Sequence, residues 1–538
     1  MKREWEQFTK LSQPPYFISY RINDLNSASL SSSFGSLINS STGKRRLLMV
    51  DVKVGDYTFD SSHPFDQQND DIDFSENAMR APYGISLPLD DRKEAIQLQI
   101  WQNTERAYKS SLELYKALKN ASVSSEKTPV DDFSKEQPVV HVDPALPAFA
   151  DVFNRAEWET RIRKYSAPFL AEKNIVTSHA ELEVLTERKY FLSTEGSKVV
   201  QNRLYAYLSI SAAVRADDGD LVPLHISYFG FTPRDLPSDE LILKDVQSMI
   251  ARLEKLRTAP VADPYTGPAI LHARAAGVFF HEIFGHRVEG HRLKNANDGQ
   301  TFKTKVNQLV LPKTLSVVFD PTLQTYKGQA LNGHYFFDDE GVRAQRVKVV
   351  EDGILKTFLM SRSPIEDFSK SNGHGRAQPG TMPVTRQSNL LIENKKEVQM
   401  SDLRKMLVNE CRKQKKQYGY LFMDVMGGFT TTERYMPNAF NIFPTEVYRV
   451  YVDGRADELV RGVDLIGTPL AMFAGITAAD DKSEVFTGFC GAESGSVPVT
   501  AISPSVFVKR IETQKKATME IEKTLLHRPQ PETKSVNE

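Results

Sequence analysis

Three side chains suited to metal-dependent hydrolysis lie within six residues of one another in the second half of the chain. The segment GVFFHEIFGHRVEGH, residues 277–291, contains His281, Glu282 and His286 in an HExxxH arrangement. Neutral imidazoles hold zinc in many peptidases, and a carboxylate beside the ion takes a proton from the attacking water. Because Glu282 directly follows the first histidine, it suits the role of general base without having to bind the ion.

The spacing of the two histidines differs from that of the better-known HExxH helix. Residues i and i+4 lie about 40° apart around a helix axis, whereas residues i and i+5 lie about 140° apart. His281 and His286 can therefore reach one ion only if the helix contains a π-bulge or ends before His286. Gly285 makes either distortion easier, since glycine adopts more backbone conformations. The motif alone leaves a structural alternative open, with His281 in the core and Glu282 and His286 on a helix surface.

A site with two histidines needs at least one more protein ligand. Cys490 lies in VFTGFCGAESGSVPVT, where the flanking glycines allow a tight turn that would present its thiolate. A buried apolar thiol is the alternative role for a lone cysteine, and these residues do not decide between the two. Cys411, in the charged run NECRKQKKQ, is predicted to be an incidental helix residue. Four other histidines form no recognisable ligand pattern: His272, His291, His334 and His374.

Hydrophobic periodicity predicts the elements that must position these residues. Residues 91–119 and 241–257 carry apolar positions at helical spacing, and the first half also contains long alternating runs typical of strands. The second half contains many short β-like runs separated by Gly, Asn and Asp. Asp-Gly pairs at 352–353 and 453–454 predict hairpin turns there. Together these patterns predict an α+β fold.

Length and composition predict a division of the chain into two domains. A chain of 538 residues is long for a single core. The Pro/Gly-rich segment 258–270 is the best candidate for a junction. We predict a mixed α/β domain over residues 1–258, with a loop excursion at about 122–147. A β-rich antiparallel domain carrying the metal site is predicted over residues 259–513, followed by a polar tail over 514–538.

Charge and cysteine content exclude several classes of protein. Lys and Arg total 68 and Asp and Glu total 69, so nothing favours direct binding to nucleic acid or to an anionic membrane. Two cysteines are too few for a disulfide-stapled extracellular scaffold. The sequence shows no signal-peptide pattern and no membrane-spanning run, which predicts a cytoplasmic protein. A chain trimmed of a signal peptide, and so secreted or periplasmic, would look the same.

Several sequence blocks resemble the TldD/PmbA family of metallopeptidases, historically called modulators of DNA gyrase, and within it the TldD-like branch. They cover most of residues 265–510 in the family's order. The resemblance implies that His281, His286 and Cys490 bind one Zn²⁺ per chain, or another divalent metal, and that Glu282 is the general base. It also makes the i, i+5 spacing an expected feature. The blocks are GPAILHARAAGVFFHEIFGHRVEG, FFDDEGVRAQRVKVVEDGILKTFLMSR, SNGHGRAQPGTMPVTRQSNL, TEVYRVYVDG with LVRGVDLIGTP, and FCGAESGSVPV.

The resemblance also implies a substrate class and an assembly. Family members are zinc-dependent peptidases thought to hydrolyse unfolded or extended peptides held largely by backbone pairing, a mode that tolerates many sequences. They form homodimers, or heterodimers with a PmbA-like paralogue. The alternative function is a non-catalytic regulator or scaffold subunit that binds a partner protein. This chain departs from the family at His291, where an acidic residue is expected, and in the block 372–376. For Arg376, Arg386 and Glu446 a structural role is favoured over substrate handling.

Overall fold

In the computed structural model, the described residues are 1–64, 84–120, 130–294, 298–396, 398–433, 439–516 and 529. The helices lie between or against two large sheets. The α-helices are α1 Lys2–Phe8, α2 Lys93–Asn120, α3 Phe149–Val152, α4 Arg155–Ser166, α5 Asp239–Thr258, α6 Ala273–Ile283, α7 Met400–Lys413 and α8 Pro469–Ala474. Five 3₁₀ helices cover Ala167–Ala171, Pro233–Asp235, Gly285–Val288, Gly290–Leu293 and Lys303–Lys305 of this described part.

The first sheet is built from long strands in the N-terminal half. Its order is β3–β2–β1–β5–β6, with β4 and β7 both beside β6. All of its pairings are antiparallel except that of β4 with β6. The alternating apolar residues of β5 and β6 are buried against α4 and α5. The strands are β1 Pro15–Ser33, β2 Ser36–Val54, β3 Ile85–Ser86, β4 Val140–Val142, β5 Ile175–Ser193, β6 Lys198–Arg215 and β7 Leu221–Gly230.

The second sheet contains the remaining long strands and closes partly on itself. Its order is β13–β12–β9–β16–β22–β20–β18–β17–β8, with β19 beside β18 and β21 beside β22. Strand β8 also pairs with β22, which joins β8, β17, β18, β20 and β22 into a ring. The strands are β8 Tyr265–Leu271, β9 Leu315–Phe319, β12 Val347–Glu351, β13 Ile354–Leu355, β16 Asn389–Asn394, β17 Tyr418–Thr430, β18 Phe440–Tyr451, β19 Glu458–Val460, β20 Val463–Gly467, β21 Ile476–Ala492 and β22 Gly495–Lys515. Two short hairpins lie apart, β10 Thr325–Tyr326 with β11 Gln329–Ala330 and β14 Gly375–Arg376 with β15 Val384–Thr385.

The mixed fold with substantial antiparallel sheets agrees with the prediction, while two details of the second sheet differ from it. Strand β16 pairs in parallel with β22, and β8 pairs in parallel with β17. Parallel neighbours need long connections, and such distant partners leave no local sequence signal. The Asp-Gly pair at 352–353 forms the predicted two-residue turn between β12 and β13, with positive φ at Asp352 and Gly353. The pair at 453–454 belongs to a longer connection between β18 and β19.

The two helices predicted from periodicity are confirmed as α2 and α5. Other predicted segments are more ordered than expected. Strand β8 covers residues 265–271, so only residues 259–264 of the proposed junction lack regular structure. Strand β4 lies inside the predicted excursion 122–147, of which residues 122–129 are outside the described part. Strand β22 continues to Lys515, into the predicted tail. Beyond residue 516, only residue 529 of that tail belongs to the described part of the chain. The division at residue 258 stays a prediction.

Helix α6 is buried on almost every side. Its sequence, ARAAGVFFHEI, is apolar around most of the helix axis, and all its residues except Arg274 are buried. Such a helix belongs in a core, and α6 packs against β17, β21 and β22. Within the described ranges, no helix is both long and apolar enough to cross a membrane.

A buried ion pair joins the two halves of the described chain and predicts a large effect on stability. Arg362 is 2% exposed, and its two Nη atoms donate to the Glu195 carboxylate at 2.7 Å each. Because removing one partner leaves a buried charge unpaired, we expect Arg362→Met to lower the free energy of unfolding by about 3–5 kcal/mol. Denaturant titration would measure this. The half-exposed pair of Arg404 with Asp457 supplies the control, since Arg404→Met should cost less than about 1 kcal/mol. Equal effects in the two variants would contradict the prediction.

Candidate metal centre

Helix α6 ends between the two histidines of the motif. His281 lies in its last turn, and the helix ends at Ile283. Phe284 leaves helical geometry with φ −122° and ψ −50°, and a 3₁₀ helix over Gly285–Val288 carries His286. Of the two distortions that the spacing allowed, the early helix end is therefore the one present.

This helix end brings His281, His286 and Cys490 together. The Nε2 atoms of both histidines lie 3.3 Å from Cys490 Sγ, although more than 200 residues separate the cysteine from either of them. One possible ligand atom from each residue lies within 4.8 Å of the other two. The imidazole rings are nearly perpendicular, with centroids 5.0 Å apart. Cys490 reaches this place from strand β21, opposite Val497 of β22.

The donor set fits a metal ion. Two imidazoles and one thiolate suit a borderline-soft ion such as zinc. In a tetrahedral zinc site, a nitrogen and a sulfur ligand lie about 3.5 Å apart, close to the two 3.3 Å separations. All three side chains are buried. Three protein ligands would leave a fourth position for water or substrate, as in catalytic zinc sites.

Glu282 lies beside this cluster without joining it. Its carboxylate is 4.0 Å from His286 Nε2, and Glu282 as a whole is 6% exposed. Burial raises the pKa of Glu282, while the nearby histidines oppose that shift. The position matches that of a general base, which must be near the reacting water but need not bind the ion.

Charges of opposite sign offset one another within the cluster. Burial by itself would raise the pKa of Cys490, but His286 and His281 outweigh it and hold that pKa well below its usual value. Burial would lower the pKa of His286, but Cys490 and Glu289 hold it well above its usual value. The protein thus favours a thiolate at Cys490, which is the form that binds metals.

Glu289 contacts His286 of the cluster and was not singled out in the sequence analysis. It is fully buried, and its Oε2 accepts a hydrogen bond from His286 Nδ1 at 3.2 Å and from Arg292 Nε at 2.9 Å. A carboxylate on the far nitrogen of a ligating histidine fixes the orientation of the ring. The i, i+3 spacing from His286 was the available signal, since residues at that spacing meet on one face of a helical turn.

A cavity of about 550 Å³ opens over the cluster. Strands β17 and β21 form two of its walls, and Tyr207, His225 and Ser227 of the first sheet contribute to a third. Within the described part, residues 484–492 of β21 pair only with β22, and residues 424–430 of β17 pair only with β18. Each wall therefore offers a strand edge with backbone groups that can pair with an extended chain.

The remaining residues singled out from the sequence lie outside the cluster. Arg386 is fully buried and donates to the carbonyls of Cys490 and Gly495, which holds the turn after Cys490. Arg376 donates to the Gln387 carbonyl, and Glu446 pairs with Arg252 at 3.3 Å. Cys411 packs in a separate apolar cluster with Leu403 and Leu407. Among the described residues, the metal cluster also excludes four other histidines, His272, His291, His334 and His374.

Comparison with known proteins finds related metallopeptidases. Residues 264–515 match the family model for the PmbA/TldA metallopeptidase C-terminal domain. A metalloprotease from Archaeoglobus fulgidus is 32% identical over 240 residues, which are 45% of this chain and 51% of that protein. The match thus spans about half the length of that relative. A zinc metalloprotease TldD homolog from Saccharolobus solfataricus is 24% identical, with 60% of this chain and 68% of that protein covered.

The fold is shared over a longer part of the chain. A crystal structure from Thermotoga maritima, described as a modulator of a DNA gyrase, aligns with a TM-score of 0.61 at 16% identity. The alignment covers 95% of this chain and 98% of that one. At this identity the likeness is one of fold. The family membership itself rests on the C-terminal domain: residues 264–515 belong to the PmbA/TldD family, as the matched model and the TldD homologue indicate.

Proposed function

We propose that the protein is a zinc-dependent peptidase whose ion is held by His281, His286 and Cys490, with one Zn²⁺ per chain. The convergence of these three side chains beside Glu282 is the observation that carries the proposal. The names of the relatives support a metal-dependent peptidase. Zinc is preferred among divalent metals because two imidazoles and a thiolate suit a borderline-soft ion.

Glu282 performs the proton transfers in this proposal. When bound, zinc supplies Lewis acidity at neutral pH. The Glu282 carboxylate takes a proton from the water that attacks the scissile carbonyl, and later delivers it to the leaving amine. The surrounding core keeps Glu282 and the three ligands away from bulk solvent, which strengthens each electrostatic interaction in the site. Glu289 keeps the His286 ring in the orientation that directs Nε2 towards Cys490.

Extended or unfolded peptides are the proposed substrates. The strand edges of β17 and β21 face the same cavity as Glu282. A peptide that pairs with such an edge gains main-chain hydrogen bonds whatever its sequence. Folded proteins have already paired those backbone groups and would not bind in this way.

The proposed assembly is a dimer, either of two copies or with a PmbA-like paralogue. The family resemblance supports this proposal. Light scattering of the purified chain tests the first form, because a homodimer has twice the 60.7 kDa of one chain. A monomer that gains activity only on addition of a paralogue would favour the second form.

Removal of the metal tests the function. We expect a chelator to abolish hydrolysis of an unstructured peptide, and zinc to restore it, because the proposed ligands can supply no Lewis acid without the ion. Elemental analysis should find about one zinc per chain before chelation, as three protein ligands and an open position predict. If purified protein contains no metal, even after reconstitution, and cleaves no peptide, the proposal is wrong. A non-catalytic regulator or scaffold subunit would then be the better assignment.

A further inference from the structure

The early end of helix α6 deprives two carbonyl groups of their usual donors. In a continuing helix the amides of Gly285 and His286 would donate to the carbonyls of His281 and Glu282. The last helical hydrogen bond here joins Phe284 N to Phe280 O at 3.1 Å, and the next backbone bond joins Arg287 N to Phe284 O at 2.9 Å. Such buried carbonyls need other donors, because leaving a buried acceptor unpaired destabilises the folded state.

Two buried side chains supply those donors. Gln387 Nε2 donates to the His281 carbonyl at 3.2 Å, and Arg287 Nη1 donates to the Glu282 carbonyl at 2.7 Å. Gln387 is fully buried and Arg287 is 1% exposed. The helix end is therefore stabilised by specific side chains from inside the protein.

Gln387 also lies directly against the chain between the two histidines. A Cβ at residue 285 would be 1.9 Å from Gln387 Oε1, so only glycine allows this close approach. The same side chain has its Nε2 3.4 Å from His281 Nε2. Gln387 thus contacts the first histidine at both its backbone and its ring, and it contacts the backbone that leads to the second.

We propose that Gln387 is a positioning residue of the metal centre. Its amide replaces the helical hydrogen bond that is lost at His281 and so stabilises the helix end. That end is what turns His286 towards the same point as His281, since a regular helix would hold the two residues about 140° apart. This inference rests on the proposed function, because it concerns the geometry of the three proposed ligands. Of the three proposed ligands and Gln387, only His281 and His286 are close to each other in sequence.

The test compares zinc binding in Gln387→Met with that in the unaltered chain. Methionine keeps the length of the side chain and removes its donor. We expect zinc affinity, measured by competition with a chelating dye, to fall by about 10- to 100-fold, the usual effect of losing a partner that orients a ligand. The absorption bands of the cobalt(II)-loaded protein, which report on thiolate and imidazole coordination, should also change. Neither reading depends on peptide hydrolysis.

Gln201→Met is the matched control. Gln201 is also a buried glutamine, 6% exposed, and its Nε2 donates to the Phe337 carbonyl at 2.7 Å, away from the metal centre. The Gln201→Met variant should lose stability because it too loses a buried hydrogen bond to a carbonyl. It should nevertheless keep the zinc affinity and the cobalt spectrum of the unaltered chain. A general loss of stability would therefore affect both variants, whereas a positioning role affects only one.

The outcomes separate this inference from the function on which it rests. Gln387→Met with wild-type zinc affinity and an unchanged cobalt spectrum would overturn the positioning role and leave the peptidase proposal intact. An unaltered chain that binds no zinc would overturn both. If Gln387→Met does not fold, Gln387→Asn provides the test, since its amide is one methylene too short to reach the His281 carbonyl. Wild-type affinity in that variant would likewise contradict the inference.

Discussion

A Glu282→Gln variant should bind zinc as tightly as the unaltered chain and hydrolyse an unstructured peptide about 10²- to 10⁴-fold more slowly. The amide has nearly the shape of the carboxylate but cannot take a proton from water. Glu282 is 4.0 Å from His286 Nε2 and is absent from the three-residue ligand cluster, so the metal should remain. Elemental analysis and steady-state kinetics on the same preparation would measure both quantities.

Glu393→Gln is a suitable control for this variant. It also replaces a glutamate by glutamine, but on strand β16, where the Glu393 side chain pairs with Arg346 and is 44% exposed. We expect its kcat to stay near the wild-type value. Substantial residual turnover in Glu282→Gln would contradict the role of general base. Loss of zinc from that variant would instead indicate that Glu282 holds the ion or supports its ligands.

Replacement of Cys490 by serine should remove the metal and the activity together. A serine hydroxyl stays protonated at neutral pH and lacks the charge and softness of a thiolate, so the site keeps only two good ligands. We expect zinc to fall from about one per chain towards none. The loss of affinity should exceed the roughly 10- to 100-fold typical of partners outside the ligand set.

The second cysteine provides the internal comparison. Cys411 is as deeply buried as Cys490 but packs with Leu403 and Leu407 on α7. Cys411→Ser places the same polar atom in a core, and it should lower stability while leaving zinc content unchanged. Retention of zinc by Cys490→Ser, or its loss from Cys411→Ser, would refute the proposed ligand set.

Local patterns in the sequence predicted much of the secondary structure. The periodicity of residues 91–119 and 241–257 indicated helices that are present as α2 and α5. The alternating runs of the first half became long antiparallel strands. Short-range patterns succeed here because an element's own apolar spacing must match the face that it buries. The same patterns could not indicate the parallel pairing of β16 with β22, whose sequences lie about a hundred residues apart.

The proposed site could be predicted only in part. His281, Glu282 and His286 share one short motif, and binding of one ion by both histidines at that spacing requires a π-bulge or an early end of the helix. Glu289 lies three residues beyond His286 and could have been proposed from that spacing. Gln387 lies 106 residues from His281, and nothing in its neighbourhood indicates a contact with the helix end. Its role depends on a carbonyl that becomes unpaired only once α6 ends early.

The sequence by itself determined which chemistry is available: two imidazoles, a thiolate and a carboxylate, of which three lie on one short segment. Tertiary structure alone decided that Cys490 meets them, because a contact across 209 residues depends on how helix α6 packs against β21. It also decided the helix end, since the buried donors of Gln387 and Arg287 come to the two freed carbonyls only in the folded core. Residue type and local spacing are properties of the chain, whereas burial and long-range contact exist only after it folds.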